Sequence, residues 1–141
     1  MLLEVEGLEV RYGRTVAVKG LSFGVAADEI VTVLGSNGAG KSSLLRALLG
    51  LVPSAAGRVT FDSTDVTRMT PPQRLRHGLA LVPEGRQIAI TLTVHENLLM
   101  GAYCRDDAEV TRDIDGIYDR FPNLARRRTM PASVLSGGEQ Q

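Results

Sequence analysis

The sequence predicts an α/β fold that begins with an antiparallel β subdomain, continues into part of a parallel sheet and ends in a helical subdomain. Three observations support this prediction. The first 25 residues alternate apolar and polar side chains, as strands with one buried face do. Residues 30–34 form an apolar, β-branched run that is typical of a strand buried on both faces. From Thr93 onward, apolar residues recur at helical spacing.

The composition is that of a folded domain. The chain has 141 residues, 43% of them apolar, and 16 basic residues balance 16 acidic ones. This argues against a disordered segment and against a protein that coats nucleic acid, which usually carries a basic excess. Cys104 is the one cysteine, so no internal disulfide is expected. The first residues lack a signal-peptide pattern, and no apolar stretch approaches the roughly 20 residues that span a bilayer. We therefore expect a cytoplasmic protein that does not itself cross a membrane.

The first half of the chain contains the predicted strands. Alternating apolar residues, interrupted by glycines, predict two antiparallel strands within residues 3–10 and 16–23. After the run at 30–34, apolar residues at helical spacing predict a helix that Gly50 and Pro53 end. Strands are predicted again at 58–61 and 79–82, and Pro71-Pro72 favours the start of a short helix between them. Residues 1–94 are expected to form the core with its antiparallel β subdomain.

The remainder, residues 95–141, is expected to form a helical subdomain. Thr93 and Glu96 have the spacing of a capping box, in which each residue bonds the backbone of the other. A second amphipathic stretch follows, marked by Ile114, Ile117, Tyr118 and Phe121. The residues after Ser136 resemble another helix start, but they amount to about one turn, which is too short to be stable alone. We expect the chain to be part of a longer domain.

The strongest motif lies between the run at 30–34 and the first predicted helix. It reads Gly35-Ser36-Asn37-Gly38-Ala39-Gly40-Lys41-Ser42, with Ser43 next, and matches G-x-x-x-x-G-K-[ST] in full. Glycines allow successive backbone N–H groups to point at phosphate oxygens, and the positive end of the helix dipole adds to them. Lys41 supplies a charge for the outer phosphates, and the Ser42 hydroxyl is a ligand for Mg²⁺. The motif predicts a nucleoside triphosphate site, and a P-loop NTPase fold.

Two further sequence features bear on this site. Tyr12 ends the first predicted strand, and its ring is able to stack on a purine base, although taken alone it is more often an ordinary edge-strand tyrosine. The second feature is Leu135-Ser136-Gly137-Gly138-Glu139-Gln140, which taken alone is as often a common structural helix cap as a functional motif. Together with the phosphate loop, however, it resembles the signature sequence of the ATP-binding cassette (ABC) ATPases. Tyr12 matches the adenine-stacking position of that family.

The middle of the chain resembles one particular group within this family. Three segments are similar to the paired ATPase subunits of branched-chain amino acid importers: Leu81–Arg86, Leu92–Leu98 and Tyr118–Pro122. At the position of Glu84 the wider family usually has a glutamine that senses the γ-phosphate, so the resemblance implies that Glu84 contacts water or magnesium. Without the resemblance, Glu84 would be interpreted as a surface carboxylate paired with Arg86. The chain departs from these relatives at Ala89, usually aromatic, and at His95, usually acidic. Amide and urea importers remain alternatives.

The resemblance also implies what the chain does in an assembly. Two such subunits sandwich two ATP molecules, with the phosphate loop of one facing Ser136, Gly137, Gly138 and Glu139 of the other, and they drive membrane permease subunits from the inner face of the membrane. The family's Mg²⁺-binding aspartate and catalytic glutamate follow the signature and are not among these residues, so we expect no hydrolysis by this chain alone. The alternatives are a non-catalytic nucleotide-binding module and a soluble family member acting in DNA repair or translation.

The remaining polar residues predict no further site. His77 and His95 have no second ligand at metal-binding spacing, and Cys104 lies in no reactive-thiol motif. Arg126-Arg127-Arg128 is expected to be a solvated helix end rather than a nucleic-acid patch. In relatives, further strands lie between the segments 30–34 and 79–82. We therefore expect these segments to expose strand edges and the isolated chain to be poorly stable.

Overall fold

A computed structural model describes all residues 1–141, and they form two compact units, Met1–Leu81 and Val82–Gln141. The division at residue 94 that the sequence suggests remains a proposal about the organisation of the whole domain.

The first unit is built on a four-stranded antiparallel sheet. Its strands are β1 (Leu3–Tyr12), β2 (Thr15–Val25), β3 (Ala56–Phe61) and β4 (Thr64–Asp65), in the order β2-β1-β3-β4. β1 pairs with both β2 and β3, and register shifts near residues 5–11 mark bulges in it. Gly13, with φ +59°, forms the turn of the β1–β2 hairpin. The strands predicted from the alternating pattern and from residues 58–61 are confirmed.

Two helices lie in the first unit, α1 (Lys41–Leu48) and α2 (Pro71–Arg76). α1 buries Leu44, Ala47 and Leu48 against the sheet, and the turn after it contains Gly50, as the sequence predicts. α2 begins with Pro71-Pro72 behind the N-cap Thr70. The core of this unit consists of Val5, Leu8, Val10, Val18, Leu44, Ala47, Leu48, Val59 and Val66.

The predicted strands at 30–34 and 79–82 are wrong for this structure. Neither segment belongs to a sheet, and the segment predicted to be most deeply buried is exposed, with Ile30 at 94% and Leu34 at 87%. A strand is completed by hydrogen bonds from a neighbour, and no segment of this chain lies beside them to make those bonds. The chain therefore has no parallel strand pair, although its mixed α/β fold matches the prediction.

The second unit is helical. It contains α3 (Val94–Gly101), α4 (Val110–Arg120), α5 (Pro122–Ala125), one 3₁₀ turn (Ala132–Val134) and α6 (Gly137–Gln140). The predicted capping box is present at α3, where Glu96 N–H donates to Thr93 Oγ1 at 3.1 Å and Thr93 N–H to Glu96 Oε2 at 2.7 Å. The small core consists of Val94, Ile114, Tyr118, Ala132 and Leu135. In neither unit is a helix long and apolar enough to span a bilayer.

Candidate nucleotide site

The phosphate-loop sequence forms a tight turn that leads directly into α1. Gly38 and Gly40 have φ values of +84° and +91°, in the left-handed region that glycine enters without strain. Within the turn, Ala39 N–H donates to Ser36 O at 3.1 Å. Gly40 is the N-cap of α1, and its carbonyl accepts the first helical bond from Leu44 N–H at 2.8 Å. The backbone N–H groups that begin α1 are therefore at the end of the loop, as an anion site requires.

The loop rests on strand β2 through Gly40. A Cβ built on Gly40 would lie 2.2 Å from the carbonyl oxygen of Ala17, so no side chain fits between the loop and the strand. A cavity of about 580 Å³ adjoins this contact, and its lining includes Val16, Ala17 and Lys41. The contact fixes the N-terminal end of α1 relative to the sheet.

The Lys41 side chain folds back over the loop. Its Nζ donates to Gly35 O at 2.7 Å and to Ser36 O at 2.8 Å. Both acceptors are backbone carbonyls, so no carboxylate neutralises the ammonium group there. These two bonds hold the charge over the loop, where phosphate oxygens are able to replace the carbonyls as acceptors.

The electrostatics of the loop favour an anion. The first turn of α1 has no acidic side chain, so its dipole is not opposed. Ser36, Asn37 and Ser42 are exposed, and Ser43 is partly buried. The chain has no cluster of three or more His, Cys, Asp and Glu side chains that would hold a metal ion. A hydroxyl beside a phosphate site nevertheless fits Mg²⁺, which keeps most of its waters and takes phosphate oxygens as ligands.

Tyr12 ends β1, as the sequence predicts, and pairs with Thr15 across the hairpin turn. Its side chain is 46% exposed, so much of the ring is available for contact with a ligand. The same hairpin carries Ala17, on which the phosphate loop rests. Tyr12 and the strand on which the phosphate loop rests thus belong to one hairpin, and the stacking role of Tyr12 stays a prediction.

In the second unit, the signature residues form the start of α6. Ser136 is the N-cap, and its Oγ accepts a long hydrogen bond from Glu139 N–H at 3.4 Å. In return, Ser136 N–H donates to Glu139 Oε2 at 2.8 Å, which completes a capping box. Ser136 and Gly138 are exposed, and Gly137 is partly covered. The predicted helix start is confirmed, and one turn follows it.

Glu139 also anchors this turn to α5. Its Oε1 accepts hydrogen bonds from Asn123 Nδ2 at 3.0 Å and from Arg127 Nη1 at 2.5 Å. The bond from Asn123, together with those from Ser136 and Arg127, lowers the pKa of Glu139 to about 2. Arg127 is therefore not a freely solvated residue, which corrects the expectation for the middle of the Arg126–Arg128 run. Both carboxylate oxygens of Glu139 bind groups of the second unit itself.

Glu84 and Arg86 lie in an exposed loop of the second unit. Arg86 and the next residue, Gln87, have φ values of +63° and +51°, which residues other than glycine rarely adopt. The Arg86 guanidinium lies over the signature turn: Nη1 donates to Gln140 Oε1 at 3.3 Å, and a Cβ on Gly137 would lie 2.7 Å from Nη2. Glycine is thus required at 137 if Arg86 stays in place.

Sequence reasoning missed several of these residues. No motif indicated Asn123 or Arg127, because their link to Glu139 depends on how the second unit folds. Arg74, which is buried in the first unit, was also missed.

His95, which the sequence predicts to be neither a ligand nor a catalyst, contacts Tyr118. Its Nδ1 lies 3.0 Å from the Tyr118 hydroxyl, and the two rings stack.

Known proteins similar to this chain fall in one group. The sequence pattern of the family described as "ABC transporter" matches residues 18–141. The chain is 36% identical over 140 residues to the high-affinity branched-chain amino acid transport ATP-binding protein BraG of Pseudomonas aeruginosa, covering 99% of this chain and 60% of BraG. It is 39% identical over 117 residues to the probable branched-chain amino acid transport ATP-binding protein LivF of Archaeoglobus fulgidus, covering 83% of this chain and 50% of LivF.

The structure leads to the same group. A nucleotide-free ATP-binding cassette from an ABC transporter superposes with a TM-score of 0.84 at 26% identity, over 99% of this chain and 60% of the other. An ATP-binding subunit of an ABC transporter gives a TM-score of 0.83 at 27% identity, over 99% of this chain and 58% of the other. The chain therefore spans half to three fifths of the length of these relatives.

Proposed function

The chain belongs to the ABC transporter family, and from this membership we propose that it forms the ATP-binding part of an importer subunit. One observation carries the proposal. The N-terminus of α1, a glycine turn and the Lys41 ammonium group all meet at the phosphate loop. A triphosphate combines negative charge with many acceptor oxygens, and this is the ligand that such donors suit best.

Each loop residue has a proposed role in holding ATP. Backbone N–H groups of residues 35–43 donate to the phosphates, and Lys41 exchanges its carbonyl acceptors for the outer phosphate oxygens. The Tyr12 ring stacks on the adenine base. Ser42 would hold Mg²⁺ through its hydroxyl. Glu84, in the second unit, is proposed more weakly as a contact for water or magnesium. Bound Mg²⁺ supplies positive charge that offsets the charge of the phosphates.

The signature turn is proposed to bind nucleotide held by a second ATP-binding subunit. Ser136, Gly137 and Gly138 present the N-terminal turn of α6, and Glu139 holds that turn in shape through its capping box. This arrangement requires a homodimer or heterodimer. The dimer would act on integral membrane permease subunits and would therefore be attached, from the cytoplasm, to the inner face of the cell membrane.

We propose branched-chain amino acids as the transported solutes. BraG and LivF, two relatives that are named for this transport, match the chain at 36% and 39% identity. However, the hemin import ATP-binding protein HmuV of Bradyrhizobium diazoefficiens matches at 37%, so identity alone does not separate the solute classes. The proposal rests instead on the segments Leu81–Arg86, Leu92–Leu98 and Tyr118–Pro122 together with those names. Amides and urea remain the alternative solutes.

Lys41→Ala tests the ATP site directly. Loss of the ammonium group removes a charge-assisted contact worth about 1.5–3 kcal/mol, so ATP affinity should fall roughly 10- to 100-fold. Isothermal titration calorimetry with ATP and Mg²⁺ measures the change. Arg46→Ala is the matched control, because Arg46 is an exposed cation in the last turn of the same helix. Equal ATP affinities for the two variants would contradict the proposed site.

A further inference from the structure

Arg74 is a buried arginine whose hydrogen bonds all go to backbone carbonyls. It lies in α2 and is 3% exposed. Nη1 donates to Ala47 O at 2.8 Å and to Leu48 O at 2.7 Å, both in the last turn of α1. Nη2 donates to Thr67 O at 2.7 Å, and Nε to Met69 O at 3.1 Å. No carboxylate lies within ion-pair distance of it; burial lowers the pKa of Arg74, and the charge of Asp65 opposes this effect without reversing it.

The turn after α1 is shaped to admit this guanidinium. A Cβ on Gly50 would lie 3.1 Å from Arg74 Nε and 3.2 Å from its Cζ, and Gly50 has φ +70°. Any larger residue at position 50 would therefore crowd Arg74 as well as strain the backbone. The C-terminal carbonyls of a helix lack helical partners and carry partial negative charge. Arg74 donates to two of these carbonyls, Ala47 O and Leu48 O, and adds its positive charge to that of Arg46 in the last turn; Ala47 O also accepts from Gly50 N–H at 3.0 Å.

Both ends of α1 are thus fixed to the rest of the first unit. The N-terminal end rests on Ala17 through Gly40, and the C-terminal end is held by Arg74. An eight-residue helix is only about 12 Å long, so a tilt at one end moves the other. A buried, unpaired guanidinium is costly to desolvate, and water would satisfy the same carbonyls if the helix end were exposed. The desolvation cost of burying Arg74 therefore favours a role in which the direction of α1 has to be fixed.

We propose that Arg74 is a positioning residue for the phosphate loop, fixing the C-terminal end of α1 so that its N-terminal N–H groups face the phosphates. The inference rests on the proposed ATP-binding function and adds to it a residue outside the phosphate-loop motif. Arg74 does not contact the nucleotide. It acts through α1, at the opposite end from Lys41.

The test separates positioning from stability. Arg74→Met keeps the aliphatic stem but removes the charge and all four hydrogen bonds, and Val5→Ala opens a cavity in the core of the same unit, where Val5 is buried. Both variants are studied at a temperature where circular dichroism shows them folded. Affinities for ATP-Mg²⁺ and for inorganic triphosphate, which reports on the loop without the base, are measured by calorimetry. We expect Arg74→Met to weaken both ligands about 10-fold, and Val5→Ala to leave both unchanged.

Arg74→Lys is the second variant, and it replaces Arg74→Met in the binding measurements if Arg74→Met does not fold. A lysine keeps the charge but cannot reach all the carbonyls of Ala47, Leu48, Thr67 and Met69, so we expect an intermediate loss of about 3-fold for both ligands. Folded Arg74 variants that bind ATP and triphosphate as the wild type does would overturn the positioning role while leaving the ATP site in place. A wild-type chain that binds no ATP would instead overturn the proposed function, and this inference with it.

Discussion

Two glycines of the phosphate loop have nearly the same backbone conformation but different surroundings. Gly38 and Gly40 have φ values of +84° and +91°. A Cβ on Gly38 would meet no atom within 4 Å, whereas one on Gly40 would lie 2.2 Å from Ala17 O. Position 38 requires glycine only for its backbone conformation. Position 40 requires glycine both for its conformation and for the close approach of the loop to β2.

This difference predicts unequal effects of alanine. Gly38→Ala should cost about 1–2 kcal/mol, the usual cost of a left-handed conformation for a residue with a Cβ. Gly40→Ala should cost more, since the loop must also move away from β2, and it should weaken ATP binding further. Amide hydrogen exchange in α1 measures the cost as local opening, and ATP titration measures the affinity. Equal exchange rates in the two variants would show that the contact with Ala17 does not constrain the loop.

At the residue scale, the sequence identified the residues whose role depends on local spacing. The glycines, Lys41 and the capping serine are recognisable because their partners are a few residues away in the chain. Arg74 was not recognisable, because its acceptors at Ala47 and Leu48 lie 27 and 26 residues away and are backbone carbonyls, which leave no mark in the sequence. A buried arginine without a carboxylate partner is also against the usual expectation.

Among the elements, α6 depends most on its connections. A helix of four residues has too few internal hydrogen bonds to persist alone. Here Glu139 contributes three links: it completes the Ser136 capping box and accepts hydrogen bonds from Asn123 and Arg127 near α5. The shape of the signature turn therefore depends on the charge of one carboxylate.

That dependence predicts a response to acid. Because the folded-state pKa of Glu139 lies at about 2, below its usual 4.5, its stabilisation is present above pH 4.5 and is lost as the pH falls toward 2. Glu139→Gln should remove this part of the acid sensitivity of α6. The carboxyl shift of Glu139, followed by NMR from pH 6 to pH 3, should show it still ionised at the acid end. A titration midpoint near 4.5 would contradict the anchoring by Asn123 and Arg127.

Elements defined by local patterns were predictable, and elements that need distant partners were not. The α3 capping box and the β1–β2 hairpin were predictable because their hydrogen bonds join nearby residues. Residues 30–34 have the composition of a buried strand, but composition does not supply the neighbouring strand that would bond to them. The pattern correctly indicates apolar segments that suit burial, and their exposure in this structure follows from the lack of a partner.

For the molecule as a whole, the exposed run at 30–34 has the largest consequence. Ile30 and Leu34 are almost fully exposed, and Val82, at the end of the second such segment, is 70% exposed. Extended apolar segments with unpaired backbone groups pair readily with other chains. The small cores of the two units offer little stability to offset this tendency.

We therefore expect the isolated chain to self-associate and to unfold without a sharp transition. Ile30→Lys places a charge in the exposed run, and since burying an isoleucine is worth about 1.5–3 kcal/mol, it should weaken association roughly 10-fold or more. Leu51→Lys is the control, because Leu51 is also exposed and apolar but lies outside the run. Sedimentation velocity over a range of concentrations compares the variants. If both lysine variants associate to the same extent, residues 30–34 do not form the contact between chains. A monomeric wild type with a cooperative melt by circular dichroism would contradict the expectation altogether.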